Sequence, residues 1–343
     1  MEIRVNASTS ENTPPPFARW PRLAAHHPAW NAVMVNGLGH KPFNLAAFSD
    51  SGSLVGILPL SFVRSLIFGK FLVSQPYLNT GGVWTDGEEV AVALVDQAVR
   101  LADQLDVKHL ELRHEVRLDH PKLNAERTDK VHMRLALPAS SEELLKSFKS
   151  KLRSQIKKGA ENPFEIEYGG EKLLPQFYGL FAHNMRDLGT PVYSRGLFRS
   201  ILTAFGGDGA ELAVVRLHGT PVAGALLVHD HDRTEVPSAS SLRQFNSTGA
   251  NMWMYWRLLE RAIERGSTTF DFGRSSIGSG TYKFKEQWGA VAHPAVWQYY
   301  VRRGNPADMR PDSPNKLKLI RIWQRMPVWL TKSIGPGIVK GIP

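Results

Sequence analysis

The order of elements along this chain predicts one α/β fold built twice in a single polypeptide. Three observations predict it. The 343 residues suffice for about two domains at roughly 100–200 residues each. A succession of hairpin, helix and strand occurs in the first half and returns in the second. The spacing between the copies is nearly constant: Gly56 and Gly224 lie 168 positions apart, and Leu110 and Phe270 lie 160 apart.

The first copy opens with a strand over 44–49, a Gly-containing turn over 50–53 and a strand over 54–63. Apolar residues alternate around that turn, which is the pattern of a hairpin. A Gly-rich stretch at Thr80-Gly81-Gly82 follows. Ala91, Leu94, Val95, Ala98, Leu101, Ala102 and Leu105 then repeat at helical spacing. Asp86, with Glu89 three residues on, is the expected cap of that helix. His109 to His114 reads as the closing strand.

In the second copy the strands fall at 211–217, 222–229 and 234–241. Met252, Trp256, Leu259 and Ile263 mark the helix face, Gly266 its stop, and 269–272 the closing strand. Helices separate the copies. Leu145, Phe148, Leu152 and Ile156 share one face, opened by Ser140 with Glu143 as its cap partner. The opposite face is basic: Lys146, Lys149, Lys151, Arg153, Lys157 and Lys158. A second helix runs through Leu174, Phe177, Tyr178, Phe181 and Met185, and a third follows Ser194.

Composition narrows the class. With 42% hydrophobic and 22% charged residues, the chain reads as a soluble globular protein with enough apolar material for two cores. Cysteine is absent, which excludes disulfides, thiolate metal sites and a cysteine nucleophile, and fits a reducing cytoplasm. Residues 1–17 lack a basic start and an apolar stretch, so they do not read as a signal peptide. Pro14, Pro15 and Pro16 there predict a disordered lead-in. No run approaches the ~18 apolar residues of a membrane span. A formal charge of +10 favours anionic partners, whether nucleic acid, phosphorylated ligands or an acidic membrane face. The expected divisions are a lead-in over 1–17, a first domain over 18–138, a second over 139–303 carrying the basic helices, and a basic tail over 304–343.

The most specific pattern follows the second helix. It reads Phe270-Asp271-Phe272-Gly273-Arg274-Ser275, then Gly278-Ser279-Gly280-Thr281-Tyr282-Lys283-Phe284-Lys285-Glu286-Gln287-Trp288-Gly289. This resembles the FDFG…FK…WG signature of the Fem family of peptidoglycan-bridge aminoacyltransferases. It looks most like the Fem-related proteins of Gram-negative exopolysaccharide and PEP-CTERM/exosortase loci. Residues 186–193 (RDLGTPVY) and 151–158 (KLRSQIKK) match that group as well. The resemblance covers about residues 40–303. It implies tandem GNAT-like, acyl-CoA N-acyltransferase-type domains, each a mixed, mostly antiparallel sheet flanked by helices. It also implies a transferase that moves an acyl or aminoacyl group onto an amine or hydroxyl of a cell-envelope or exopolysaccharide-related precursor. The donor would be a co-substrate, either aminoacyl-tRNA or an acyl-CoA or acyl carrier, with no tightly bound cofactor and no metal. The chain departs from acetyl-CoA enzymes where their pyrophosphate loop, Q/R-x-x-G-x-G/A, should precede the main helix. Counted from Gln244, the first glycine position is Ser247. Two further readings stay open: an acyl-CoA or acyl-carrier N-acyltransferase, and a non-catalytic module of the same fold that binds a precursor, lipid or nucleic acid.

Amide formation puts charge on a carbonyl oxygen, and a fixed cation there lowers the barrier. Lys285 matches the Fem lysine near the donor, so the resemblance casts it as the oxyanion or phosphate partner; otherwise it is a solvated lysine. Asp271, a carboxylate between two phenylalanines, must find a partner or lose its charge. It either orients the attacking amine, takes its proton, or caps a strand end. Gly273 and the glycines at 278 and 280 allow close backbone approach, or form an ordinary loop. Arg274 is a candidate anion contact, and Phe284 flanks the lysine. The resemblance places Arg153, Arg186 and Tyr193 in the acceptor cleft, where arginine forks suit phosphate or carboxylate; a solvated basic face is the alternative. Asn251 and Tyr255 open the second-copy helix and could line the same cleft, whereas Trp253 and Trp256 read as core. The 12 histidines show no ligand spacing; His229 and His231 flank Asp230 at a strand end. No G-x-S-x-G elbow or P-loop occurs.

Residues 313–343 carry six basic and no acidic residues, interleaved with Leu317, Ile320, Trp323, Trp329 and Leu330. Three readings fit: a helix packed on the domains, peripheral contact with an anionic (inner) membrane, and contact with tRNA.

Overall fold

A computed structural model describes residues 1–5, 23–85, 87–305 and 314–342 and divides the chain into two compact units. The first comprises 1–131, 293–312 and 340–343; the second comprises 132–292 and 313–339.

The first unit contains β1 (Glu2–Val5), α1 (Ala29–Val33), β2 (Lys41–Phe48), β3 (Leu54–Ser65), β4 (Gly69–Val73), β5 (Trp84–Thr85), α2 (Glu88–Gln104), β6 (His109–His114) and β7 (Ala125–Arg127). β2, β3 and β4 form an antiparallel meander, and β6 then pairs parallel with β4. The parallel step needs a crossover, which α2 supplies. Its buried face is the predicted one: Ala91, Leu94, Val95, Ala98 and Ala102 pack with Leu45, Leu58, Leu60, Leu72, Leu110 and Leu112 in one core. Each such leucine contributes roughly 1.5–3 kcal/mol relative to exposure. The Asp86 cap falls outside the described residues. Gly87 occupies the N-cap position, with no side-chain cap bond, and Glu88 and Glu89 in the first turn complement the helix dipole. Residues 2–5 are not part of a disordered lead-in: they add a strand to the edge of β2, from Glu2 opposite Phe48 to Val5 opposite Leu45.

The second unit contains β8 (Lys130–Ala136), α3 (Ser141–Ser147), α4 (Ser150–Ala160), β9 (Phe164–Gly169), α5 (Leu174–Leu188), α6 (Arg195–Gly209), β10 (Ala210–Leu217), β11 (Thr220–Asp230), β12 (Arg233–Ser241), α7 (Ala250–Glu264), β13 (Thr269–Ser276), α8 (Gly280–Glu286) and β14 (Val291–Pro294). Its sheet runs β14-β8-β13-β12-β11-β10-β9, with β12 and β13 parallel. The predicted helix over 145–156 is two helices, because Phe148 is extended (ψ 147°). Ser140 and Ser194 cap α3 and α6 through the backbone N–H of Glu143 and Leu197. On α7 the buried residues are Ala250, Met254, Tyr255, Trp256, Leu258, Leu259 and Ala262; the predicted Trp256 and Leu259 are among them, and Met252 and Ile263 are half-buried.

The chain then returns. β15 (Val296–Val301) joins the first sheet between β6 and β7, although the sequence reading placed it in the second domain. Residues 314–339 form α9 (Pro314–Arg325) and α10 (Val328–Val339) and belong to the second unit rather than to a separate tail. The two copies are therefore β2-β3-β4-α2-β6 and β10-β11-β12-α7-β13, a tandem GNAT-like arrangement of two mixed, mostly antiparallel sheets flanked by helices. The parallel ladders superpose Glu111 on Asp271, an offset of 160 residues, as predicted. The Gly56–Gly224 match slips. A Cβ on Gly56 would stand 2.8 Å from Val90 Cγ1 of α2, whereas Gly224 faces Leu180 and Phe177 of α5. α5 is not the counterpart of α2, so the ladder equivalence on this strand is Ser61 with Val228.

Gly56 sits where α2 presses on β3, and added volume must displace Val90 and Leu94. Gly56→Val should lower stability by about 1–3 kcal/mol. An unchanged denaturation midpoint would contradict this packing.

Candidate functional site

The second unit's parallel pair is short. Arg233, Thr234 and Glu235 pair with Thr269, Phe270 and Asp271, and the ladder ends there. β12 runs on to Ser241 and β13 to Ser276 without further pairing to each other. Two strands that start paired and then part leave backbone N–H and C=O groups facing a wedge, which an extended ligand can use.

Residues at the point of parting explain why it occurs. Asp271 is 1% exposed. Its Oδ2 accepts from Arg134 Nε at 2.8 Å, and its Oδ1 accepts from the Gly273 backbone N–H at 2.7 Å. That second bond closes a local turn, and Gly273 takes φ +76°, a left-handed conformation that glycine adopts without Cβ strain. β13 is thereby turned from β12. Burial alone would raise the Asp271 carboxyl, but Arg134, His132 and the Gly273 N–H together hold it below the usual carboxylate range. A carboxylate so held is charged at neutral pH and a poor proton acceptor; it anchors.

Lys285 lies on α8, whose start is capped by the Ser279 side chain on the Tyr282 N–H. It is 8% exposed, and its Nζ donates to the carbonyls of Gly273 (3.0 Å) and Arg274 (3.1 Å). Two of the ammonium's three hydrogens thus fix the diverging part of β13, and a third remains. Burial lowers its pKa to about 8, with Asp271 opposing the shift and Arg274 adding to it. Tyr255 of α7 packs on Phe272 of β13 and Phe284 of α8, with centroids 5.6 and 5.0 Å apart, and burial pushes its hydroxyl up to about 12.

The structure therefore gathers Tyr255, Asp271, Gly273, Arg274, Phe284 and Lys285. The other four are placed as follows. Arg153 is exposed on α4, and Asn251 is half-buried in the first turn of α7. The Arg186 guanidinium is engaged by Asp187 at 2.7 Å, the Met326 carbonyl at 3.3 Å and His183 at 3.4 Å. The Tyr193 carbonyl accepts from the Tyr178 hydroxyl at 3.0 Å. Trp256 is buried, as read, whereas Trp253 is half-buried against Phe164. His229 bonds Glu211 and Thr234, and among the described residues no group of three or more His, Asp or Glu could hold a metal. The sequence reading missed Arg134, 137 residues from its partner. The alternation of Val131, Met133 and Leu135 was a signal for the strand that carries it. That alternation suggests one wet face, yet His132 and Arg134 are buried too.

The first unit shows what happens when the same wedge is filled. In β6, Arg113 stands where β13 has Gly273. Its guanidinium pairs with Glu111 at 2.7 Å, stacks on Trp297 at 4.2 Å, and donates to the Gln75 and Leu78 carbonyls. The loop after β4 closes the ladder: Ser74 N–H bonds Glu111, and the N–H groups of Gly81 and Gly82 bond the Arg113 carbonyl. Gln75 and Tyr77 take positive φ to make that closure. A polar cleft of about 370 Å³ elsewhere in this unit is lined by Arg117, Asp119, His120, Glu126 and Gln298. Arg117 is paired there with Asp119 and Glu126.

Residues 146–286, a segment within the second unit, match the family described as acetyltransferase (GNAT) domain. The match ends one residue past Lys285. Among solved structures the chain is similar to FemX, at 17% identity over 80% of this chain and 91% of that one, with a TM-score of 0.60. It is similar to L-PGS from Bacillus licheniformis, at 14% identity over 82% and 90%, with a TM-score of 0.52. A tandem GNAT protein from the clavulanic acid biosynthesis pathway aligns at 11% identity over 87% and 91%, with a TM-score of 0.52. At these identities the likeness is one of fold. No curated protein matches the sequence.

Asp271→Asn keeps an acceptor for the Gly273 N–H but leaves buried Arg134 without its carboxylate. The variant should lose on the order of 3 kcal/mol at neutral pH. The folded carboxyl titrates below its unfolded value, so its contribution is present above about pH 4 and is lost as pH falls through the folded value. The stability gap between parent and variant should therefore narrow below pH 4. A gap independent of pH would mean that the charge of Asp271 does not stabilise the turn.

Proposed function

We propose that the chain is a transferase moving an acyl or aminoacyl group onto an amine, or a hydroxyl, of an envelope or exopolysaccharide-related precursor. The observation that carries this reading is the wedge between β12 and β13 with buried Lys285 at its edge, inside the segment that matches an acetyltransferase domain. An acyl donor lies between β12 and β13 beyond the end of their ladder, with its carbonyl near Lys285. The acceptor's lone pair attacks, and the carbonyl oxygen takes up charge. The remaining hydrogen of the Lys285 ammonium meets that oxygen, a contact worth a few kcal/mol in the transition state. Collapse expels the donor's alcohol or thiol, which takes the proton that the acceptor loses. Arg274 offers an anion contact beside it. Asp271 and Arg134 set the position of the wedge and do not exchange protons.

Two donors fit this chemistry. An aminoacyl-tRNA is favoured by the exposed cations Lys149, Lys151, Arg153, Lys157 and Lys158 on α4. The end of α4 also packs on the start of α7: a Cβ on Gly159 would lie 3.3 Å from the Gly249 carbonyl oxygen. This crowds the helix N-terminus where a pyrophosphate would sit. Acyl-CoA is the second reading, favoured by the acetyltransferase family match. We place the reaction in the cytoplasm, on the absence of cysteine.

Titration calorimetry with acetyl-CoA, a longer acyl-CoA and charged tRNA separates the donors. Saturable binding of tRNA alone supports the first, binding of CoA alone the second, and binding of neither opposes both. With the donor so identified, Lys285→Met should reduce turnover by about 100-fold or more. Parent-like turnover would remove Lys285 from the chemistry. The two pH effects of this lysine have opposite signs. Its folded pKa of about 8 lies below the ordinary 10.5. Between these values the unfolded chain holds the proton that the folded chain has lost, so its contribution to stability rises with pH there. Activity needs the cation and should fall through pH 8 over the same window. A flat activity profile in which Lys285→Met changes nothing would contradict the assignment.

A further inference from the structure

We propose that the outward faces of α9 and α10 dock this chain on an anionic lipid surface. The inner faces of both helices are already spent on the second unit. Gln324 Nε2 donates to the Asp187 carbonyl at 3.1 Å, and Arg186 Nη1 reaches the Met326 carbonyl at 3.3 Å. Trp323, Thr331, Gly335 and Val339 are buried. The opposite faces are unlike an ordinary wetted surface. Trp329 is 71% exposed, Ile322 60% and Ile334 40%. Arg321 and Arg325 are exposed on α9 beside Ile322.

Helical geometry puts these residues together on each helix. Arg321, Ile322 and Arg325 fall within one outward arc of α9, on the side away from Trp323 and Gln324. On α10, Trp329 and Ser333 share the side away from Thr331, Gly335 and Val339, whereas the Lys332 ammonium lies over the Tyr178 ring at 5.6 Å. The charge is of one sign, since residues 313–343 contain no Asp or Glu. A tryptophan left mostly in water on α10 and an isoleucine between two exposed arginines on α9, with no acidic residue on either helix, have the composition of interfacial helices. The rings and methyls enter the acyl boundary while the cations remain at the headgroups. Neither helix exceeds 12 residues, and no helix among the described residues is long and apolar enough to cross a membrane. The contact is therefore one of lying on the surface. A nucleic-acid groove would use the cations but would not call for Ile322 and Ile334. A second copy of the chain would bring the same cations against themselves.

The inference is independent of the transfer chemistry, and its test does not require a known substrate. The full chain is floated with vesicles of phosphatidylglycerol and phosphatidylcholine, and with phosphatidylcholine alone, at low and high salt. It should float with the anionic vesicles, be released by salt, and ignore the neutral ones. Each cation near an anionic surface contributes about fivefold, so Arg321→Ser with Arg325→Ser should weaken binding about 25-fold. Trp329→Ser should weaken it by about tenfold, with thermal stability unchanged because its side chain is exposed. Failure of the parent to float, or parent-like flotation by both variants, overturns the proposal. So does a result in which the same substitutions change only self-association or oligonucleotide binding.

Discussion

The geometry of the second unit depends on one short ladder and the carboxylate that ends it. Parallel strands of a sheet normally continue together, because each unpaired N–H and C=O forfeits a partner. β12 and β13 part after three pairs, and Asp271 sits at the last of them. It takes the Gly273 N–H out of the sheet and holds Arg134 from the neighbouring β8. Lys285 then occupies the carbonyls that the turn leaves facing outward. Remove the carboxylate and the turn, the buried arginine and the lysine's foothold lose their common support.

The duplication provides an internal control for this account. Both units build a meander, a crossover helix and a parallel strand, and in both an acid stands at the third ladder position, Glu111 or Asp271. What differs is the residue two further on. Arginine at 113 fills the wedge with its own side chain and ties down the following loop, whereas glycine at 273 leaves the wedge to be bounded by a lysine from outside the strand. One substitution pattern converts a wedge into core. A tandem fold can thus keep one wedge open while its twin closes its own.

Particular residues show how far the sequence could be read. Helix α2 was legible because all its buried positions follow one apolar stripe, and β6 was read to the residue. The same reasoning found only one flank of the stripe on α7, Trp256 and Leu259, where aromatic residues lie on several sides and periodicity alone does not choose among them. It placed β15 and β8 in the wrong copies, since alternation can mark a strand but not name a partner far away in sequence. Phe270, Asp271, Gly273 and Lys285 were legible because a motif puts them within 16 residues. Arg134 was not, because its pairing with Asp271 spans 137 positions. Arg186 illustrates the converse: an arginine in a matching motif that donates to Asp187, His183 and the Met326 carbonyl.

Buried charge by itself does not mark the site, and the second unit contains the counterexample. Glu211 is 4% exposed. Burial would raise its pKa, yet hydrogen bonds from His229 and Arg261 bring it to about 2. Its oxygens accept both arms of Arg261 at 2.9 Å, and the chain of contacts continues from His229 to Thr234 and Ser267. Thr234 lies inside the ladder and Ser267 just before β13, so this network clamps the closed end of the strand pair. Asp271 and Lys285 hold the end that opens. A clamp at one end and a fixed divergence at the other make the wedge rigid, and rigidity is what oxyanion stabilisation demands, because a cation that must reorganise during the reaction loses most of its effect.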